Sequence, residues 1–342
     1  MLDTLGMMEA TLGLPEQLRD AAAAAGAVDG LPSADGLTSV LVMGMGGSGI
    51  GGDVAAAVAA PASCLPVMVS KQYECPAFVG PGTLVVAISF SGNTEETVQA
   101  TRAAAEAGAR VVVVASGGTL ADLAGDLGAP LVPVDATIPM PRAGIGAVSV
   151  PTLVLMERMG LLDGASSWVD AAVAQLERRR DQLTADRNEA RTLARHLGRT
   201  LPIVYGGGAL GEVAAWRWKG QFNENPKVAS FANRIPELTH NEICGWGQHG
   251  DVTRQVFSLV LLRHAFEDPQ VARRFGIVEE ISEEIVAGVH TVEAQGDGRL
   301  AQLMDLVLFG DMVTLFQCEA EGVDPGPVPV LDDIKRRLAG PA

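Results

Sequence analysis

Lysine is scarce in this chain: Lys71, Lys219, Lys227 and Lys335 are the only four among 342 residues. Positive charge as a whole is short, with 25 Lys+Arg against 41 Asp+Glu and a formal net charge of −16. A pI of about 4.7 argues against nucleic acid as a partner, because phosphate backbones are held by clustered Lys and Arg. It argues equally against an anionic membrane surface. Cysteine is also sparse. Cys64, Cys75, Cys244 and Cys318 form no C-x-x-C pair, and no His/Cys cluster has zinc spacing. Reduced, mostly buried thiols in a cytoplasmic protein are expected. Long apolar runs are missing too; none reaches the roughly 18–20 residues of a membrane helix. Met1-Leu2-Asp3-Thr4 lacks the basic start of a signal peptide.

What is present is apolar and glycine-rich: 48% hydrophobic residues and 40 glycines, with only 4% aromatics. That apolar fraction excludes a disordered chain, and the length suggests two domains. Residues 1–33 read as a helical segment broken at Gly30-Leu31-Pro32. Short apolar runs then alternate with helical stretches: Ser39 to Met43, Pro66 to Val69, Thr83 to Ile88 and Arg110 to Val114. Such runs indicate a buried parallel sheet, here spanning 34–160. An alanine-rich helix is expected from Val54 to Ala60. Residues 161–198 read as a charged linker helix, with Arg178-Arg179-Arg180 a solvated face. A second α/β unit, 199–342, opens with Pro202 to Tyr205 and the turn Gly206-Gly207-Gly208. It continues with a strand at 256–262 and helices at 271–287 and 299–320. The fold class is therefore α/β: two doubly wound αβα subdomains with parallel sheets, joined by a helical linker.

Two loops carry chemistry. Gly44-x-Gly46-x-x-Gly49 follows a strand and opens a helix, a context in which backbone N–H groups and the helix N-terminus favour an anion. It matches the dinucleotide fingerprint formally, but the second strand ends in Lys71 rather than an acid, which disfavours NAD and leaves NADP open. The second loop, Ser89-Phe90-Ser91-Gly92-Asn93-Thr94-Glu95-Glu96-Thr97, places hydroxyls at Ser89, Ser91 and Thr94 beside a helix start. Such a cup binds a phosphate monoester without Lys or Arg.

With Gly46-Gly47-Ser48-Gly49, this loop resembles the sugar isomerase (SIS) domain. Lys219 to Lys227, Pro236 to Glu242, Met140-Pro141-Arg142 and Gly322-Val323-Asp324-Pro325 … Ile334-Lys335 resemble the bifunctional phosphoglucose/phosphomannose isomerases, in the family's order along the chain. The resemblance implies two SIS-type subdomains and aldose–ketose isomerisation of glucose 6-phosphate and mannose 6-phosphate with fructose 6-phosphate. It implies Glu224 as the base, His240 and Lys335 as the ring-opening groups, and Arg142 as the cation facing the enediolate. It further implies Gly46, Gly47, Ser48, Ser89, Ser91 and Thr94 as the phosphate cup. No cofactor or metal is implied. The partners implied are a small phosphosugar and a second copy of the chain, whose His240 crosses the interface. Two alternatives stand beside this reading: a non-catalytic phosphosugar sensor, which needs only the cup, and an NADP-dependent oxidoreductase. Thr314 departs from the Ser the resemblance leads one to expect.

Overall fold

A computed structural model of the chain describes residues 2–338; Met1 and residues 339–342, at the ends of the expected first and last segments, lie outside the described residues. The first sheet holds β1 (Ser39–Met43), β2 (Val67–Ser70), β3 (Thr83–Ser89), β4 (Arg110–Ala115) and β5 (Leu131–Pro133), all parallel, in the order β2-β1-β3-β4-β5. The second holds β6 (Leu201–Gly207), β7 (Phe231–Ile235), β8 (Phe257–Arg263) and β9 (Gly288–Glu293), also parallel, in the order β7-β6-β8-β9. β5, β7 and β9 are additional to the strands expected from apolar runs. All three are edge strands. β9 carries His290, Thr291 and Glu293 where a central strand would carry aliphatics, and the helix expected to reach residue 287 stops at Ser282 to admit it.

Alternate residues of the central strands face opposite layers. Leu41, Val85 and Val113 pack with residues of the helices Glu95–Glu106 and Gly118–Leu127. Val42, Val86 and Val114 face the other way, toward the helix Gly46–Ala59. In the second sheet Tyr205 and Leu261 meet the helix Pro269–Ser282. Val204 and Leu262 turn toward the helices Gly208–Glu224 and Arg299–Glu321. The inward layers of both sheets merge into one continuous core.

The helix after β1 starts at Gly46, not at Val54. Glycine's poor helix propensity disguised its first two turns, and packing overrides that propensity. A Cβ on Gly51 would lie 2.7 Å from the Val148 carbonyl oxygen, so this helix approaches its neighbour at backbone distance.

The helix Arg299–Glu321 also differs from expectation. By length and composition it could cross a membrane, yet it is buried inside this fold. Its two buried carboxylates are paired: Asp305 Oδ1 lies 3.2 Å from Arg179 Nε, and Asp311 accepts from Arg217 Nε at 3.0 Å and Nη2 at 2.6 Å. Arg178-Arg179-Arg180 is accordingly a solvated face only in part, at the exposed Arg178. Arg179 is buried over the Phe309 ring, and Arg180 bonds Glu16. The linker consists of two helices, Ala165–Thr184 and Glu189–Leu197. The cysteines are unpaired, but Cys64 and Cys244 are exposed; only Cys318 is buried.

The turn after β1 recurs after β6, with Gly208 (φ 58°) matching the left-handed Gly46 (φ 54°). The neighbouring loops differ. After β8, Glu267 folds back, its side chain 3% exposed, and accepts from Arg263 Nε and the His264 N–H, each at 3.0 Å. Its carboxylate lies 3.0 Å from where a Cβ on Gly207 would stand. The second strand end is thus filled by the chain's own anion.

Two stability effects follow. Gly51→Val should cost about 1–3 kcal/mol through overpacking, read as a lower urea midpoint; an unchanged midpoint would contradict the backbone contact. Glu267→Ala leaves Arg263 and a backbone N–H without their acceptor and should cost about 2–4 kcal/mol. A loss below about 0.5 kcal/mol, the range of ordinary surface substitutions, would show that the carboxylate is not what fills this end.

Candidate active site

The open strand end belongs to the first sheet. Ser48, in the first turn of its helix, is buried and accepts from the Phe90 N–H at 3.1 Å. That bond ties the glycine turn to the serine loop. The Ser89 and Thr94 hydroxyls lie 2.9 Å apart, and Ser91 Oγ accepts from the Asn93 N–H at 3.3 Å. Thr94 occupies the N-cap position of Glu95–Glu106, yet its hydroxyl makes no capping bond; it turns to Ser89 instead. The loop is pinned from behind: Asn93 Oδ1 accepts from the Thr119 N–H and hydroxyl, each at 3.1 Å. At Gly92 (φ 70°) a Cβ would fall 1.6 Å from the Gly117 carbonyl oxygen, so only glycine fits. The hydroxyls and the unpaired N–H groups of a helix start together form a neutral anion cup, bordered by Gly46 and Gly47.

Beside this cup runs the short turn Pro141–Gly144, close enough that a Cβ on Gly47 would meet the Pro141 carbonyl oxygen at 3.1 Å. It carries Arg142, which is 4% exposed. Arg142 Nε donates to Asn225 Oδ1 at 3.0 Å, and Nη2 donates to the carbonyl oxygens of Pro325 and, at 2.7 Å, Gly326. Nη1 is buried with no hydrogen-bond acceptor, and Glu224 Oε2 stands 3.6 Å from it. Burial pulls the proton affinity of this guanidinium below its ordinary value, and the Glu224 carboxylate opposes that pull.

The supports are deep. Asn225 is fully buried and donates to Thr314 Oγ1 at 2.9 Å. Thr314 in turn donates to the Asp311 carbonyl oxygen at 2.7 Å. Arg217, held by Asp311, donates to the Arg142 carbonyl oxygen at 2.6 Å. Cys318 lies fully buried in this region; burial pushes its thiol up to about 12. Arg142, Arg217 and Lys227 face Glu224, Asp311 and Asp324, so the charges of this region are matched in number.

Arg142 and Glu224, some eighty residues apart, are therefore brought together beside the cup. His240 and Lys335 are not gathered with them within one chain. His240 is exposed, on the turn Glu237–His240 that follows β7. That turn is built firmly: Thr239 accepts from Arg274 Nη1 at 2.7 Å, and Glu242 accepts from the Tyr205 hydroxyl and Asn233. Burial, with Glu242 beside it, holds the Tyr205 hydroxyl far above its ordinary proton affinity. Lys335 is exposed on the helix Pro329–Leu338, none of whose residues is buried. Val330, Leu331, Ile334 and Leu338 of that helix also face outward.

Lys71, which left a nucleotide 2′-phosphate conceivable, bonds Asp53 and lies across Gly49, so it is not free for that task. Among the described residues, no three His, Cys, Asp or Glu side chains converge as a metal cage requires. Sequence reasoning missed Arg217, Asp311, Asn225 and Tyr205 as supports. The available signal was charge inside otherwise apolar helices, at Arg217 and Asp311.

Residues 38–127 match the SIS domain model, and residues 186–338 match the model of the bacterial phospho-glucose isomerase C-terminal SIS domain. A bifunctional phosphoglucose/phosphomannose isomerase of Caldicellulosiruptor bescii is 33% identical over 97% of this chain and 99% of its own length. Its namesake from Thermoplasma acidophilum is 30% identical, over 88% of this chain and 90% of its own length. Among solved structures, tagatose-6-phosphate ketose/aldose isomerase from Escherichia coli shares the fold, with a TM-score of 0.68 at 14% identity over 96% of this chain and 98% of that one. The cup, the Arg142–Glu224 pair and these similarities converge on one assignment: the chain belongs to the bifunctional phosphoglucose/phosphomannose isomerase family.

Proposed function

We propose that this protein interconverts glucose 6-phosphate and mannose 6-phosphate with fructose 6-phosphate by proton transfer through a cis-enediol(ate). The observation that carries the reading is the buried, unpartnered Nη1 of Arg142 facing the Glu224 carboxylate at 3.6 Å. Aldose–ketose isomerisation needs one base that removes a proton from C1 or C2 and returns it to the other carbon. It also needs a cation where the enediolate oxygens gain charge. Glu224 and Arg142 supply these adjacent functions. A phosphosugar held by Ser48, Ser89, Ser91 and Thr94 would project its reacting carbons between them.

Ring opening precedes the proton transfer. His240 and Lys335 serve this step in our reading, the imidazole because its unperturbed pKa lies near neutrality. Both are exposed in a single chain, which supports a homodimer in which His240 completes the partner's site. The four free thiols support a reducing, cytoplasmic setting. The division of labour is that 34–160 binds phosphate, whereas 199–342 brings the base.

Glu224→Gln should lower kcat by about 10²–10⁴-fold, the range of a lost general base, while fructose 6-phosphate still binds by calorimetry. Wild-type turnover would remove Glu224 from the role. The shared site has its own test. Glu224→Gln and His240→Gln proteins, each inactive, are unfolded, mixed equally and refolded. A site shared across the two-fold should recover about a quarter of wild-type activity; no recovery would place His240 within its own chain's site.

A further inference from the structure

Lys227 is a described non-glycine residue with a left-handed backbone, φ 60°. That conformation crowds a Cβ against the following carbonyl, and glycine would adopt it freely. A lysine there needs a reason in its side chain. The residue is solvent-exposed overall, but its ammonium turns inward. It donates to the carbonyl oxygens of Asn225 at 2.9 Å and Asp324 at 2.7 Å, and reaches that of Pro325 at 3.4 Å.

These acceptors belong to two segments. Asn225 caps the helix that ends in Glu224. Asp324 and Pro325 begin the turn whose Pro325 and Gly326 carbonyls hold Arg142 Nη2, and this turn leads into the helix that bears Lys335. An ammonium has three diverging donors and suits three carbonyls from different directions, whereas a flat guanidinium does not. The charged and titratable groups around it are Cys318, Arg142, Asp324 and Glu224. Asp324 is itself engaged, accepting from the Gly326 N–H at 3.0 Å and the Thr4 hydroxyl at 2.6 Å.

We infer that Lys227 is a positioning residue for the isomerisation, clamping the end of the Glu224 helix to the turn that holds Arg142. This rests on the proposed function. The ammonium would touch no reacting atom. It holds the base and the enediolate cation in register.

Lys227→Gly tests the clamp without backbone strain, because glycine relieves the left-handed residue. With wild-type melting behaviour, kcat should fall about tenfold or more while KM stays within about threefold, the pattern of an interaction realised in the transition state. Lys227→Arg, whose flat fork cannot meet three carbonyls from different directions, should recover little of the lost kcat. Amide exchange over 324–328 should be faster in Lys227→Gly. Unchanged kcat, a loss confined to KM, or a lower melting temperature without the fall in kcat would overturn the inference. If the wild type does not isomerise phosphosugars, the functional reading fails. The clamp is then judged by exchange alone: faster exchange sustains it, and equal exchange overturns it.

Discussion

The site depends on how Arg142 is held. A buried guanidinium is costly unless its donors are satisfied. Here Asn225 takes Nε and two carbonyls of the 324–326 turn take Nη2, so one nitrogen, Nη1, is left to face Glu224. That single unspent donor is the electrostatic feature on which the proposed chemistry turns. An arrangement with every donor satisfied would be more comfortable and could not meet a developing negative charge.

The rest of the fold supports that arrangement. The merged inner core brings the Gly46–Ala59 helix, with the proposed anion cup, beside the Gly208–Glu224 helix, with the proposed base. The Arg217–Asp311 pair lies beneath and fixes the Arg142 backbone. Duplication of the strand–turn–helix unit does not yield two such sites. In the second unit Glu267 occupies the corresponding loop, while in the first Ser89, Ser91 and Thr94 leave the end open. In the proposed reading, a chain with net charge −16 binds an anionic sugar through neutral hydroxyls and amides, with positive charge kept for the reacting carbons.

Much of this was legible from local pattern. The β1–α and β3–α turns announce themselves by glycines and hydroxyls at the ends of apolar runs. Ser89, Ser91 and Thr94 could be picked out from their loop alone, Glu224 and Arg142 only through the resemblance of their segments to the isomerase family. What was not legible depends on distant partners. Arg179 reads as one member of a basic triplet until Asp305, more than a hundred residues away, buries it. The first two turns of the Gly46–Ala59 helix read as a loop until Val148 shows why its glycines are required. β9 goes unread because this edge strand carries polar residues in place of an apolar run. Lys227 carries no local sign of its role, since its acceptors lie at positions 225, 324 and 325.

The most direct measurement of the central claim is isomerisation of fructose 6-phosphate in D2O, followed by proton NMR of the aldose products. A carboxylate base that is partly open to solvent, with a side chain 37% exposed, exchanges its captured proton during the enediolate's lifetime. The account predicts deuterium at C2 of both glucose 6-phosphate and mannose 6-phosphate. Deuterium entering C2 at the wild-type rate in Glu224→Gln would contradict the proton-transfer role of Glu224.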